Sequence, residues 1–362
     1  MIDIGKEFIR EIGPGSSQNL GRKPTLLEVD PQTWYVVGVD FERITSIKVG
    51  IANLKGKLIA KTEEPVKNTS PSQIVDLIAG LTDRLINKVN IKREKIIGIG
   101  MGTPGLLDQK EGKVIYSVYL DWRNVSLRKL VKKKIGTSLI TDTDTNPPAL
   151  AEQRYGAGKG TRDLIYITIG PGLGAGIIID GQIYHGIDGT AGEFGHTIID
   201  PNGPLCSCGN RGCLEALVTE PSIMKQATEG INKGEATLIN NLAQKQGNLT
   251  PKIIYEAALK GDKFAIQIIQ KTGYYLGLGL VNLVNLLNPE VIVIGGDISQ
   301  VADILLKSVK EVVSSRALSA PAKRAEILAS HFGKDAGIIG AATLFLESVF
   351  QIPEARLSPR GR

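Results

Sequence analysis

The chain has 362 residues, of which 42% are hydrophobic, and a formal net charge of +6. This length suits a globular protein of two ordinary domains, and the apolar runs are too short to span a membrane. We find no N-terminal apolar segment that indicates export, so we expect a cytoplasmic protein with no membrane partner. The basic run at residues 128–134 is typical of a solvated helix face rather than of a nucleic-acid site.

The first half of the chain reads as a mixed α/β domain. Apolar and β-branched residues, separated by turn residues, predict a meander of three antiparallel strands, and apolar residues three and four apart predict helices. We predict strands at 34–41, 46–54, 56–66, 95–101 and 138–142, and helices from Pro71 onward and at 127–134.

The second half begins with the same pattern. Residues 164–184 predict a pair of strands around a glycine-rich turn and a further short strand. Helices follow near 221–230, 235–246, 251–260 and 263–287, then a strand at 291–296, a helix, a strand at 325–329 and a helix at 335–349. A duplicated meander with helices behind it indicates two lobes with a ligand cleft between them.

The three cysteines of the chain lie close to one histidine, and together they form a full tetrahedral ligand set: His196, Cys206, Cys208 and Cys213. Four protein ligands leave no position open for water, so the pattern indicates a closed structural zinc site. Buried apolar cysteines are one alternative, and a disulfide, which would leave one thiol unpaired, is another. Glu193 and Glu215 flank this cluster, so one metal-held loop would carry two carboxylates.

Glycine-rich turns are the candidate phosphate sites. Glycines in residues 170–176 would let backbone N–H groups approach an anion, although a tightly packed hairpin explains them equally well. Gly295 and Gly296 end a strand just before a helix, where nucleotides bind in α/β folds. Asp144 follows a strand and suits a general base, but Asp142, Asp144 or Asn146 could each simply cap the next helix.

Together these segments resemble the ROK family of repressors, uncharacterised reading frames and sugar kinases. The motifs that carry the resemblance are residues 101–105 (MGTPG), 143–152 (TDTNPPALAE), 170–176 (GPGLGAG), 191–196 (AGEFGH), 206–215 (CSCGNRGCLE) and 295–296. The resemblance implies an actin-like, ribonuclease-H-like two-lobed α/β fold, with ATP in the cleft and a hexose beneath its γ-phosphate.

The resemblance also implies roles for individual residues. Asp144 would be the catalytic base, and the sugar would contact Asn146, Glu193, His196 and Glu215. The nucleotide would contact Asp40, Thr168, Gly170, Gly172, Gly174, Gly295 and Gly296. Zinc would be held by His196, Cys206, Cys208 and Cys213, with His196 using its two ring nitrogens for the two roles.

On this basis we expect five segments. Residues 1–32 would form an N-terminal arm, 33–146 the first lobe, 147–335 the second lobe with the zinc loop, 336–350 a helix returning to the first lobe, and 351–362 a tail.

Two departures from the family's kinases concern the ligand sites. Kinases of the family carry an Asp-x-Gly-x-Thr turn against the ATP phosphates, whereas this chain reads Asp40-Phe-Glu-Arg-Ile-Thr45, with Glu42 in the place of the glycine. A carboxylate there would repel a triphosphate, and easy access to positive φ is lost. Sugar kinases also usually have asparagine where this chain has Tyr119.

The N-terminus is similar to the family's repressors. Residues 1–30 resemble the wing and linker that follow the helix-turn-helix in those proteins, with residues 2–12 as the remaining wing, but the three DNA-reading helices are absent. We expect either a start codon placed late or a lost DNA-binding part; an ordinary arm packed on the first lobe is the alternative.

Two functions follow from this resemblance. The first, which we favour, is a sugar-responsive transcriptional regulator of the xylose- or N-acetylglucosamine-repressor-like branch. The second is an ATP-dependent hexose kinase that uses Mg²⁺. The expected ligand is a hexose or amino sugar, a DNA operator is a partner only if a helix-turn-helix lies upstream, and we expect a homodimer or higher homo-oligomer.

Overall fold

The computed structural model describes residues 8–14, 25–42 and 45–350. The chain divides into two compact units: unit 1 comprises residues 1–147 and 337–362, and unit 2 comprises residues 148–336. Parts of the predicted wing (residues 2–7), the turn residues 43 and 44, and the tail at 351–362 lie outside the described residues.

The chain contains runs of strands and runs of helices. In order they are β1 (Ile9–Pro14), β2 (Thr25–Val29), β3 (Tyr35–Glu42), β4 (Ser46–Asn53), β5 (Leu58–Pro65), α1 (Pro71–Val89), β6 (Ile96–Thr103), β7 (Leu106–Asp108), β8 (Lys113–Ser117), β9 (Trp122–Val125), α2 (Leu127–Ile135), β10 (Leu139–Thr143), α3 (Asn146–Tyr155), β11 (Leu164–Ile169), β12 (Leu173–Ile179), β13 (Gln182–Ile183), α4 (Glu215–Val218), α5 (Glu220–Asn232), α6 (Leu238–Gln246), α7 (Pro251–Leu259), α8 (Lys263–Leu287), β14 (Val291–Gly295), α9 (Ala302–Arg316), α10 (Ser319–Arg324), β15 (Glu326–Ala329) and α11 (Ala336–Phe350).

Unit 1 is built on a five-stranded sheet in the order β10-β6-β3-β4-β5. The meander β3-β4-β5 is antiparallel, while β6 and β10 run parallel to β3, as expected for strands joined through helices. Helix α1 begins at the Ser70 cap, whose hydroxyl accepts a hydrogen bond from Gln73 N–H at 3.4 Å, and buries an apolar face against the sheet.

The other face of this sheet packs against α11 at unusually short range. A Cβ built on Gly38 or Gly100 would lie 1.9 Å from Ile338 O or 1.7 Å from Ala341 O, respectively. Only glycine therefore allows the helix to lie this close to β3 and β6. A small aromatic cluster continues this layer: Phe8 stacks on Trp34 with ring centroids 5.3 Å apart and meets Phe350 edge-on.

Two small sheets complete unit 1. Strands β1 and β2 pair antiparallel, and β7-β8-β9 form a three-stranded antiparallel sheet. The sequence patterns predicted no strands at 106–125, because strands of three to five residues are too short to show a period of two.

Unit 2 repeats the plan of unit 1. Its sheet has the order β13-β12-β11-β14-β15, with an antiparallel meander of β11, β12 and β13 followed by two strands parallel to β11. Helix α8 crosses the core, and its glycines face neighbours rather than solvent: Gly273 and Gly277 lie against α9, and Gly279 against Phe194 and Leu214. The same strand order in both units confirms the duplicated α/β architecture.

Among the described residues, no helix has the length and apolar character needed to cross a bilayer.

Candidate functional site

The loop at 191–197 lies flat on β12 because two of its residues are glycines. A Cβ on Gly192, which has a φ of +98°, would lie 2.0 Å from Ala175 O, and one on Gly195 would lie 2.3 Å from Leu173 O. Phe194 is buried in the core of unit 2, whereas Glu193 remains exposed. The loop therefore anchors one side chain and presents its polar neighbours outward.

The predicted zinc ligands come together in the structure. The nearest ligand atoms of His196, Cys206, Cys208 and Cys213 all lie within 4.8 Å of one another. Cys206 Sγ is 3.7 Å from His196 Nδ1, and the Cys208 and Cys213 sulfurs are 3.6 Å apart. A tetrahedral zinc with Zn–S near 2.3 Å and Zn–N near 2.0 Å places its ligands about 3.5–3.8 Å apart, so the cluster fits this metal.

Local hydrogen bonds explain why the cysteine segment folds this way. Cys206 N–H donates to Asn210 O at 2.8 Å and Gly209 N–H to Cys206 O at 3.0 Å, which closes a tight turn around Cys208. Gly212 adopts a φ of +73° directly against Asp200 O, where a Cβ would clash. The turn thus brings the Cys206, Cys208 and Cys213 sulfurs close to one another.

The ionisation of the thiols reflects their surroundings. Burial, with the neighbouring thiols Cys208 and Cys206 adding to it, raises the pKa of Cys213 to about 12. The Asn210 backbone N–H lowers the pKa of exposed Cys208. A metal that supplies positive charge among these sulfurs would stabilise the thiolates.

His196 directs its two nitrogens to different partners. Nδ1 faces Cys206, while Nε2 lies 3.9 Å from Glu193 Oε2. One ring nitrogen therefore faces the cysteine cluster and the other faces Glu193, and the dual role of His196 stays a prediction.

Glu215 bridges the cysteine loop and the glycine-rich turn. Its Oε2 accepts a hydrogen bond from Leu173 N–H at 3.2 Å, and its Oε1 accepts from Ser207 Oγ at 3.1 Å. The structure therefore brings Glu193, His196 and Glu215 to one region around the start of β12.

The glycine-rich turn, residues 170–172, uses much of its own hydrogen-bonding capacity. Gly170 N–H donates to Gly172 O at 3.0 Å, Pro171 has no N–H, and Leu173 N–H is held by Glu215. Gly170 O accepts from Glu220 N–H at 2.9 Å. A phosphate approaching this turn would compete with existing partners.

Thr168 is the exception within this region. Its buried hydroxyl has no hydrogen-bond partner, and its strand neighbours in register are Gly174 and Gly295. A buried hydroxyl without a partner is costly, so it is a group that a ligand or ordered water could satisfy.

Gly295 and Gly296 have clear steric reasons to be glycine. A Cβ on Gly295 would lie 1.8 Å from the Tyr166 hydroxyl, and one on Gly296, where φ is +90°, would lie 2.0 Å from Ile169 O. Close packing of β14 on β11 accounts for both residues without a bound nucleotide.

In unit 1, the predicted base and the predicted nucleotide carboxylate meet at the end of the parallel strands. A Cβ built on Gly102 of β6 would lie 3.4 Å from Asp144 Cα and 3.5 Å from Asp40 Oδ1. Because Gly102 has no side chain, the two acidic residues lie on either side of it. Gly337, at the start of α11, packs against the Asp40 carboxylate.

Asp142 orients the predicted sugar ligand Asn146. Its Oδ1 accepts hydrogen bonds from Asn146 Nδ2 at 2.9 Å, Gln109 Nε2 at 3.0 Å and Thr143 N–H at 2.7 Å. The sequence pattern indicated Asp142 only as a candidate helix cap and gave no sign of Gln109. The spacing of Asp142 and Asp144 at a strand end was the available signal, because residues two apart in a strand face the same side.

Residues 40–42, which begin the segment that replaces the kinase phosphate turn, belong to β3. Pairing of β3 with β4 continues through Phe41↔Ile47 to Glu42↔Ser46. Phe41 is buried and meets Trp122 edge-on at 6.2 Å. Tyr119, the second departure, lies between β8 and β9 and is 56% exposed.

A cavity of about 240 Å³ in unit 1 lies apart from these residues. It is lined by Ile86, Arg93, Ile96 and Ile99 among others, at the amino end of β6, whereas Gly102 lies near the carboxyl end. It therefore does not belong to the candidate site.

Two units with the same strand order, and a metal-ligand cluster beside a glycine-rich turn, define an actin-like protein with a cysteine-rich loop. The ROK family profile matches residues 36–348, and the chain belongs to the ROK family. The fold and family expected from the sequence motifs are thus confirmed.

Relatives in this family have different activities. The glucokinase of Halalkalibacterium halodurans is 37% identical over 313 residues, which cover 86% of this chain and 94% of the relative. The xylose repressor of Caldicellulosiruptor bescii is 31% identical over 353 residues, which cover 97% of this chain and 88% of the relative.

Similar solved structures also include both a transcriptional regulator and a sugar kinase. A ROK transcriptional regulator homologous to the E. coli MLC protein superposes with a TM-score of 0.82 at 27% identity, covering 95% of this chain and 85% of its own. A ROK glucokinase from Streptomyces griseus in complex with glucose and AMPPNP superposes with a TM-score of 0.74 at 30% identity, covering 86% of this chain and 98% of its own.

Proposed function

We propose that this chain is a sugar-binding regulator of carbohydrate utilisation from the repressor branch of the ROK family, located in the cytoplasm, that performs no efficient phosphoryl transfer. Sugar binding would favour one conformation of the protein over another. Such differential affinity is what shifts an equilibrium between conformations.

The observation that carries this proposal is the pairing of β3 with β4 through Glu42 and Ser46. Backbone N–H groups in a paired strand point along the sheet, so they do not converge on an anion as they do in a glycine turn. Phe41 is committed to the core by its contact with Trp122. Opening this segment to hold a triphosphate would break strand pairing and expose an aromatic side chain.

The glycine-rich turn of unit 2 supports the same conclusion. Gly170 N–H in the turn and Leu173 N–H directly after it already have acceptors, and Pro171 has no donor. A nucleotide would therefore gain few new hydrogen bonds here, whereas a neutral sugar needs no phosphate cradle.

The N-terminal arm also favours the regulator. The xylose repressor aligns over 353 residues and the glucokinase over 313, so the repressor shares about 40 more residues with this chain. The described part of the arm is joined to unit 1 by the stacked rings of Phe8 and Trp34. A DNA operator would need helices for base readout, and the described residues contain no α-helix before Pro71.

Sugar recognition in this proposal uses Asn146, Glu193, His196 and Glu215. Zinc bound by His196 and the three cysteines would hold the loop that carries three of these four residues. When bound, the metal supplies structural cross-linking, because four protein ligands leave no position for a reacting group.

An ATP-dependent hexose kinase is the second candidate, and one observation favours it. Asp144 and Asp40 lie on either side of Gly102, an arrangement that could place a base near a sugar hydroxyl and a second carboxylate near Mg²⁺ and phosphate. The 37% identity to a glucokinase adds to this case.

A coupled ADP-release assay separates the two functions. The wild-type protein and Asp144→Asn are compared with glucose, N-acetylglucosamine, fructose and xylose, while sugar binding is followed by calorimetry on the same samples. For a regulator we expect binding of at least one sugar and no difference in ADP release between the two proteins. Turnover of about 1–100 per second that disappears in Asp144→Asn would establish the kinase instead.

A further inference from the structure

Ser207 lies between two predicted zinc ligands, and its hydroxyl, 3.8 Å from Cys206 Sγ, also reaches the Glu215 carboxylate. It donates to Glu215 Oε1 at 3.1 Å, and Glu215 Oε2 accepts from Leu173 N–H at 3.2 Å. A continuous chain of hydrogen bonds thus runs from Ser207 in the cysteine loop through Glu215 to Leu173 beside the glycine-rich turn, and Leu173 lies 42 residues from Glu215 in sequence.

Leu173 is the point where this chain reaches the rest of the site. It is the first residue of β12 and follows directly on the turn at 170–172. Its carbonyl oxygen packs against Gly195, where a Cβ would lie only 2.3 Å away. Movement of the Leu173 backbone would therefore displace both the glycine-rich turn and the loop that carries Glu193 and His196.

We propose that Ser207 is a positioning residue that links metal occupancy of the cysteine cluster to the geometry of the glycine-rich turn. This inference rests on the proposed zinc site and is independent of whether the protein is a regulator or a kinase.

The chemistry of the loop explains why a hydroxyl is needed. Cys206 Sγ also lies 3.7 Å from Glu215 Oε1, where a thiol can donate weakly. A cysteine bound to zinc has no S–H to donate, and three thiolates around Zn²⁺ leave the cluster with a net negative charge beside the Glu215 carboxylate. Zinc would order the loop that carries Ser207, and Ser207 keeps its donor when the metal binds, so the hydroxyl would outweigh that repulsion and hold Glu215 on Leu173 more firmly than in the metal-free loop.

The test follows the Leu173 amide directly. The protein is labelled with ¹⁵N-leucine, the Leu173 signal is assigned with Leu173→Val, and amide exchange is measured with one equivalent of zinc and after chelation. In the wild type we expect zinc to slow exchange at Leu173 roughly fivefold, the factor that corresponds to one net hydrogen bond.

Variants identify the residue responsible. Ser207→Ala should still bind one zinc per chain but lose this response, and Ser207→Thr, which keeps the hydroxyl, should restore it. Ser314→Ala is the matched control, because that serine bonds only to a carbonyl within α9 and should respond like the wild type. Glu215→Gln replaces the carboxylate by an amide, so it should weaken the response of the Leu173 amide to zinc while the protein still binds zinc.

Three results would overturn the proposal. They are a Leu173 amide that does not respond to zinc in the wild type, a Ser207→Ala protein that responds fully, or loss of zinc from both Ser207→Ala and Glu215→Gln. The last would make Ser207 a structural part of the metal loop alone. None of these measurements uses a sugar or ATP, so they stand apart from the test of the proposed function.

Discussion

Helix α11 packs so closely on the rest of unit 1 that a single added methyl group should push it outward. A Cβ built on Gly340 would lie 1.6 Å from Pro147 O and 2.2 Å from Pro147 C. Both are backbone atoms of the residue that follows Asn146, so neither can rotate away. We therefore predict that Gly340→Ala destabilises unit 1 and disturbs Asn146.

The magnitude follows from two opposing effects. Carbon and oxygen need at least about 3.2 Å, so α11 must move by roughly 1.5 Å, which would loosen its contacts with the glycines of β3 and β6. Overpacking of this kind costs about 1–3 kcal/mol, and sometimes more. Alanine in a helix interior recovers at most ~1 kcal/mol relative to glycine. Because the obstruction is backbone, we expect a net loss of about 2 kcal/mol.

Gly80 in α1 provides a matched control. A Cβ at this exposed position meets nothing within 4 Å, so Gly80→Ala should stabilise the protein by up to ~1 kcal/mol. Glycine-to-alanine substitution should therefore lower the free energy of unfolding in α11 and raise it in α1. At about 2–4 °C per kcal/mol for a domain of this size, the melting temperatures should differ by roughly 6–12 °C.

Calorimetry and urea unfolding of the three proteins, wild type, Gly340→Ala and Gly80→Ala, would measure this difference. A Gly340→Ala protein as stable as Gly80→Ala would show that α11 accommodates the methyl group, and the close approach of helix and sheet would then be wrong. Sugar calorimetry on Gly340→Ala should also show weaker binding than on Gly80→Ala if Asn146 contacts the ligand.

Two further predictions concern the metal cluster and a buried carboxylate. Zinc should bind at one per chain and be lost in Cys208→Ser. Because the raised pKa of Cys213 keeps that thiol protonated without metal, zinc must expel at least one proton, and affinity should rise at least about tenfold per pH unit between pH 6 and 8 in a chelator competition. Affinity that does not change with pH would contradict this assignment. Buried Glu152 accepts from Ala157 N–H at 2.8 Å, Ser330 Oγ at 2.6 Å and Phe332 N–H at 3.0 Å. Glu152→Gln removes one acceptor and should lower the free energy of unfolding of unit 2 by about 2 kcal/mol in urea, whereas an unchanged midpoint would show that these contacts are dispensable.

The zinc ligands could be predicted because they are close in sequence. His196, Cys206, Cys208 and Cys213 lie in one segment of eighteen residues, so few chain conformations separate them and their chemistry alone suggests one site. The long helices and meander strands were predictable for a similar reason, since their apolar periods are local. The strands at 106–125 were not, because each is too short to carry a pattern.

By itself, the sequence determined the family and the duplicated order of elements and pointed to the candidate metal ligands, all of which depend on residue type and local spacing. Only the tertiary structure placed Asp40 and Asp144 on either side of Gly102, because parallel strands bring distant residues to one edge of a sheet. It also joined Ser207 and Glu215 to Leu173, and showed that Gly170 N–H and Leu173 N–H already have acceptors. Hydrogen-bond partners depend on distance and direction in space, which residue spacing along the chain does not contain.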